Sequence, residues 1–284
     1  MDIDIAHLKE WIGREDTASE QLTPAVVRRF AATLDLQADE KIGAPAPAMI
    51  HLCLGQPCVP EAALGPDGHP ARGGFLPPVP LPRRMWAGGA LVFHGPICVG
   101  DLVTRRSTIT DVSLKQGRSG PLCFVTVSHE IFSNDRLALT ERQDIVYRGN
   151  DTFPPTSSVT APPPAPAPAP QAEHMRQLTP TATLLFRYSA LTFNGHRIHY
   201  DTPYATEVEG YPGLIVHGPL QATLLVQFAQ ALRNQPPARF SFRSTATIFD
   251  TADFTLNAET QGDKMALWAA QSGGPIAMQA TAEW

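Results

Sequence analysis

Apolar side chains recur at helical spacing through Val26, Val27, Phe30, Ala31 and Leu34, directly after Thr23-Pro24. Threonine as an N-cap and proline at the first helical position make a good helix entry, so a helix with one apolar stripe is predicted up to Leu34. The pattern changes at residue 101. Segments 101–112, 121–132 and 136–148 are rich in Val and Thr and alternate as in Cys123, Val125 and Val127, with Asn134-Asp135 supplying a turn. They are predicted to be strands. Segment 181–188 is predicted as a further strand. Gly218-Pro219 opens a second helix in which Leu220, Leu224, Leu225, Phe228, Ala229 and Leu232 stand beside Ala222, Val226 and Ala231. A helix that is apolar nearly all round belongs inside a domain, since any exposed face would leave apolar surface in water. Segments 239–249, 254–260, 264–271 and 276–283 then alternate between Asp, Gly and Asn turns, as in an antiparallel meander. The expected class is α+β: a long buried helix enclosed by a strongly curved antiparallel sheet, present twice.

Two stretches break the periodicity. Residues 151–171 contain a run of alternating Pro and Ala, which favours extended polyproline II and has almost no side chain able to build a core. They are expected to separate an N-terminal domain, 1–150, from a C-terminal domain, 172–284; a Pro-rich ligand for a partner domain is the other reading. Residues 43–89 are rich in Pro and Gly and lack periodicity, and a loop of that length inside a domain usually covers a binding site or is mobile.

Composition narrows the function classes. The 284 residues are 43% hydrophobic and 17% charged with a net charge of −5, enough apolar material for two cores and no basic footprint for nucleic acid. The four cysteines form no CxxC pair and the N-terminus is polar, which points to a reducing cytoplasm without disulfides. No apolar run reaches the roughly 18 residues needed to span a membrane, so no membrane partner is expected.

The densest chemistry is NGHRIHYD, residues 194–201, with two histidines, an arginine, an amide and a carboxylate. His196, His199 and Asp201 are acceptable metal ligands, but HxxH is a weak pattern and no strong third-ligand motif follows, so no metal is expected. An acid/base site and an ordinary polar turn are the other readings. No GxSxG nucleophile elbow exists to partner His217, which is read as a packing or orienting residue.

FRYSALTF (186–193), NGHRIHYD and GLIVHGPL (213–220) together resemble the MaoC-like hydratases and dehydratases in their double hot-dog form. The resemblance is to the branch holding mesaconyl-C4-CoA and itaconyl-CoA hydratases and the mitochondrial 3-hydroxyacyl-thioester dehydratases. It covers the second half closely and the first half in outline, through the N-terminal helix and FHGPICVGD (93–101). In the wider family the motif runs Asp-x-Asn-Pro-x-His, and its Asp and His hold the catalytic water. Aligned on the histidine, His199 is kept, Asn194 stands at the Asp position, and His196 and Arg197 replace Asn and Pro.

The resemblance implies a cytoplasmic hydro-lyase that reversibly hydrates a short enoyl-CoA, with no cofactor beyond the CoA of the substrate. A branched dicarboxylic monothioester is the expected substrate. His199 is the expected base, Asn194 the group that orients water through its carbonyl and NH₂, and His196 a stand-in for the missing carboxylate. The Gly218 N–H is the expected oxyanion donor, because the first N–H groups of a helix are unsatisfied and lie at its positive end; a tight turn before Pro219 is the alternative. Arg197 is the expected contact for the acyl carboxylate, with Arg187 or Arg28 behind it, and a salt bridge to Asp201 is the competing role. Tyr188 and His217 complete the expected substrate contacts. Arg239, Arg243 and Lys264 could meet CoA phosphates or be merely solvated. The first domain lacks any such motif and is expected to shape the acyl pocket through residues 43–89. A homo-oligomer is compatible with this reading. The rival functions are a hot-dog acyl-CoA thioesterase and a non-catalytic acyl-CoA-binding domain.

Overall fold

The computed structural model describes residues 3–117, 120–149 and 167–284. The expected spacer lies mostly outside the described residues. Its far end is tied to the sheet, where the Ala169 N–H donates to the Gly274 carbonyl at 2.9 Å.

Ten strands form one antiparallel sheet: β1 (Glu15–Gln21), β2 (Arg83–Phe93), β3 (Leu102–Gly117), β4 (Gly120–Ser133), β5 (Arg136–Arg148), β6 (His174–Leu178), β7 (Arg239–Ser244), β8 (Phe254–Gln261), β9 (Lys264–Gln271) and β10 (Ile276–Glu283). Their order is β1-β3-β4-β5-β2-β7-β10-β9-β8-β6. Each half uses the same connectivity, strand n of the first matching strand n + 5 of the second. The halves join edge to edge at β2 and β7, where Gly88 pairs with Arg243 and Val92 with Arg239. The expected duplication holds for the strand order, with the two copies fused into a single sheet; the long buried helix expected in each half occurs once among the described residues.

Helix α1 (Ile5–Lys9) precedes β1, and α2 (Pro24–Leu34) follows it with Thr23 Oγ1 accepting from the Val26 N–H, as the Thr-Pro entry predicts. Segment 181–188, expected as a strand, is instead helix α3 (Ala182–Leu191). Thr181 Oγ1 caps it by accepting from the Leu184 N–H at 3.1 Å. Leu185 and Tyr188, three apart, are buried while Phe186 is exposed, which is a helical pattern. A short Leu-Leu-Phe run fits either period, and the cap decides it. Residues 83–89, expected within the long loop, belong to β2.

Helix α4 (Gly218–Arg233) is the predicted core helix, with every residue from Leu220 to Ala229 buried. It shares one core with α2, where Phe30 and Leu34 join Leu224, Leu225 and Phe228. Burying each such side chain contributes about 1.5–3 kcal/mol. The first half has no counterpart of α4 among the described residues: between α2 and β2 the chain is irregular apart from 3₁₀ turns at Ile50–Cys53 and Glu61–Ala63. A cavity of about 1120 Å³ opens beside that irregular segment, its walls drawn from both halves. No described helix is long and apolar enough to cross a membrane.

Candidate active site

Residues 194–201 form a turn that its own side chains hold together. Asn194 Oδ1 accepts from the His196 N–H at 3.0 Å, a 3₁₀ turn runs over Arg197–His199, and Asp201 Oδ1 accepts from the Tyr204 N–H. Asn194 therefore has its carbonyl engaged in the turn, leaving the NH₂ as the group it can offer the cavity it lines.

His199 is buried at the cavity wall. Its Nδ1 lies 2.7 Å from the Ile215 carbonyl, which can only accept, so Nδ1 carries the proton and Nε2 keeps a lone pair. Burial pulls its pKa down from 6.5 to about 4, so the ring is neutral near pH 7. It stacks face to face on His217, at 3.6 Å between centroids. His217 is fully buried and hydrogen-bonded through Nε2 to Ser189 Oγ at 2.8 Å, with Nδ1 unpartnered. Burial, with the neighbouring imidazoles, holds it well below the usual histidine range.

Tyr188 directs its hydroxyl away from any ligand: Thr223 Oγ1 donates to the Pro219 carbonyl and is thereby free to accept the phenol proton, 3.2 Å away. Only the Tyr188 ring is left for substrate contact. Gly218, the first residue of α4, lines the cavity with an N–H that has no acceptor inside the helix. A Cβ added there would stand 3.6 Å from Trp86, an ordinary contact, so packing alone does not demand glycine.

Arg197 is not among the cavity-lining residues. Its Nε and Nη2 reach Asp201 Oδ2 at 2.9 and 2.8 Å, Nη1 donates to the Pro66 carbonyl, and the guanidinium lies over the Tyr204 ring. The expected substrate contact is corrected to the salt-bridge role: Arg197 pins the turn to the first half of the chain. Asp201, bound to Arg197 and the Tyr204 N–H, does not complete a metal set with His196 and His199. Arg187 and Arg28 do not line the cavity either.

The sequence reading missed the residues that the first half contributes. The turn at 65–69 brings Asp67, Gly68 and His69 against Asn194, Gly195 and His196, with the Arg197 N–H donating to the Asp67 carbonyl at 2.9 Å. A Cβ on Gly68 would collide with the Gly195 carbonyl, and one on Gly195 would stand 2.7 Å from the Gly68 oxygen, so the two backbones touch because both lack side chains. Asp67 Oδ1 accepts from the His69 N–H and Oδ2 lies 3.3 Å from His69 Nδ1. The His69 ring is 4.1 Å from His196, which meets His199 edge-on at 5.4 Å. Burial acts first on His196, aided by the charges of His69 and His199, and pushes its pKa to about 2. Burial alone would raise Asp67, but the hydrogen bonds from His69 outweigh it and hold the carboxyl well below its usual range. Donor atoms of Asp67, His69 and His196 lie within 4.8 Å of one another, but both Asp67 oxygens already face His69. A Pro-Asp-Gly-His turn in a Gly-rich loop was the available signal, and nothing local says which face of the fold it reaches.

Arg84 is the other missed residue. It lines the cavity from β2, where its charge opposes the burial that raises the Tyr147 phenol, and it has no carboxylate partner among the described residues. Arg72, by contrast, is capped by the Val79 and Pro82 carbonyls, and Arg83 by Glu209.

Residues 49–250 match the family described as hydroxyacyl-thioester dehydratase type 2. The chain is 44% identical to the mesaconyl-C(4)-CoA hydratase of Chloroflexus aurantiacus over 274 residues, covering 96% of each. Among solved structures, a MaoC-like dehydratase from Phytophthora capsici aligns with a TM-score of 0.67 at 13% identity, covering 99% of this chain and 98% of that one. A Mycobacterium tuberculosis protein described as a double hotdog fold aligns at 0.56 with 15% identity over 96% of both. These two likenesses concern the fold.

Proposed function

Because the chain belongs to the hydroxyacyl-thioester dehydratase type 2 family, we propose that it reversibly adds water across the double bond of an enoyl-CoA. The observation that carries the reading is the locked imidazole of His199, neutral at physiological pH with a free Nε2 lone pair, on the cavity that Gly218, the first residue of α4, also lines. In hydration Nε2 takes a proton from water while the oxygen bonds to the β-carbon. The electron pair of the double bond moves toward the thioester oxygen, where the Gly218 N–H and the positive end of α4 meet the developing charge. Asn194 Nδ2 orients the water. A proton then reaches the α-carbon. These steps use no cofactor; CoA is part of the substrate.

A short branched dicarboxylic monothioester suits this cavity, as with the mesaconyl-C(4)-CoA of the relative at 44% identity. Arg84 is the residue that receives its free carboxylate, since a guanidinium without an acidic partner can bind one bidentately.

The test is incubation with mesaconyl-C4-, mesaconyl-C1-, itaconyl-, crotonyl- and longer enoyl-CoA, following mass and free thiol. A gain of one water on at least one ester supports the proposal. No gain on any, or release of CoA thiol instead, overturns it.

A further inference from the structure

The motif position that holds an aspartate in the wider family is Asn194 here, and an amide cannot exchange protons. A carboxylate is brought against that turn from the other half of the chain. Asp67-Gly68-His69 is laid against Asn194-Gly195-His196 by the Gly68–Gly195 contact and by the Arg197 N–H to Asp67 carbonyl bond, and all six residues line the cavity. We infer that Asp67 and His69 are the second proton-transfer pair of this site, His69 exchanging the proton at the substrate α-carbon and Asp67 positioning its ring.

The inference rests on the hydration proposed above, and the geometry divides the labour between two imidazoles. A proton arriving on His199 gains no carboxylate: its neighbours are the Ile215 carbonyl and the faces of uncharged rings. A proton on His69 Nε2 is balanced by Asp67, whose Oδ2 faces the opposite nitrogen at 3.3 Å. In hydration, His199 Nε2 takes one proton from water as the C–O bond forms at the β-carbon. The double-bond pair moves to the α-carbon and is protonated by imidazolium His69. The site ends with the proton on His199 and none on His69, and exchange with cavity water restores the starting state. Dehydration runs the same steps backwards.

The groups facing His69 are Asp67, His196, Arg84 and Arg72. Burial lowers its proton affinity, the two arginines lower it further, and Asp67 raises it. A substrate carboxylate seated on Arg84 cancels part of that opposing field, so substrate binding favours the protonated ring that hydration requires.

The test separates α-proton exchange from water addition. Methylsuccinyl-CoA, a saturated thioester with the same skeleton as the mesaconyl ester, is incubated in D₂O with the wild-type enzyme, His69→Gln, His199→Gln, Asp67→Asn and Asp67→Glu. Exchange at the α-carbon should survive in His199→Gln and fall at least about 100-fold in His69→Gln, the scale of a lost acid/base group. Asp67→Asn should lower kcat for hydration with KM little changed and move the alkaline limb of the rate to lower pH, because removing the carboxylate lowers His69; Asp67→Glu should restore most of the loss. A merely structural role would move thermal stability and leave the pH limb in place. Exchange that persists in His69→Gln, or is lost in His199→Gln instead, overturns the inference. So does activity abolished by a chelator and restored by a divalent metal, which would make the cluster a metal site. Failure of the wild-type enzyme to hydrate any enoyl-CoA is a different result, and it removes the underlying reading.

Discussion

The imidazoles of His199 and His217 lie face to face, 3.6 Å apart and 20° from parallel, beneath the wall of the cavity. His217 offers His199 a ring face and no charge, so the stack keeps His199 neutral rather than assisting its protonation.

An acid limb in the hydration rate follows. With a folded pKa of about 4, His199 stays a base far below 6.5, and kcat/KM should hold down to about pH 5 before falling. His199→Gln should lose about 10²- to 10⁴-fold in kcat with the fold retained, as general base loss does. Rate profiles on the wild-type enzyme from pH 4 to 8 check the limb, and one centred near 6.5 would mean that a more exposed histidine does the work.

Stability should respond to the same burial. His69, His196, His199 and His217 all have pKa values below that of an unfolded histidine. Below about pH 6.5 the unfolded chain binds more protons at these rings than the folded chain does, so stability is full above 6.5 and declines as pH falls toward 4. Each extra proton on the unfolded side costs about 1.4 kcal/mol per pH unit. Urea midpoints at pH 7, 6 and 5 should drop progressively; equal midpoints would refute the lowered proton affinity of the cluster.

Gly218→Ala separates chemistry from packing. The new methyl would sit 3.6 Å from Trp86 without collision, and alanine favours a helix over glycine. The melting temperature should be unchanged or slightly higher while kcat falls about 10-fold or more, because the methyl stands where the thioester oxygen must approach the N–H. An unaffected kcat would remove Gly218 from the oxyanion role.

Arg84 and Arg197 should behave differently as alanines. Arg84→Ala should raise KM for dicarboxylic esters by about 10-fold or more and leave crotonyl-CoA alone, as expected for loss of a charged hydrogen bond of about 1.5–3 kcal/mol. Arg197→Ala should loosen the 194–201 turn and reduce both substrates alike, since its partners are Asp201, Pro66 and Tyr204. Equal discrimination in both variants would exclude Arg84 as the selector.

Much of the fold was legible because local signals agreed with the global arrangement. The Thr23-Pro24 entry, the all-apolar face of 220–229 and the alternation of β3, β4, β5, β8, β9 and β10 each specify an element without outside help. Segment 181–188 did not, since Leu184, Leu185 and Phe186 suit either period until Thr181 is seen to cap them. Contiguous motifs drew attention to His199 and Gly218, and the fold brings both to one cavity. It was hidden where the chain brings distant segments together: Asp67 and His69 stand some 130 positions before the residues they touch, in a loop without periodicity. Arg197 was misassigned because a guanidinium two residues from His199 invites a ligand, whereas the 3₁₀ turn aims it outward at Asp201.

The Gly68–Gly195 contact works as a gauge. Side chains repack when a core changes by a methyl group, and a catalytic distance set by such packing drifts with it. Here the separation between the two halves at the site is fixed by main chain against main chain, with nothing between them that has a rotamer to change. Core substitutions in either half can therefore accumulate while the spacing of the groups around the substrate stays constant, provided that positions 68 and 195 remain glycine.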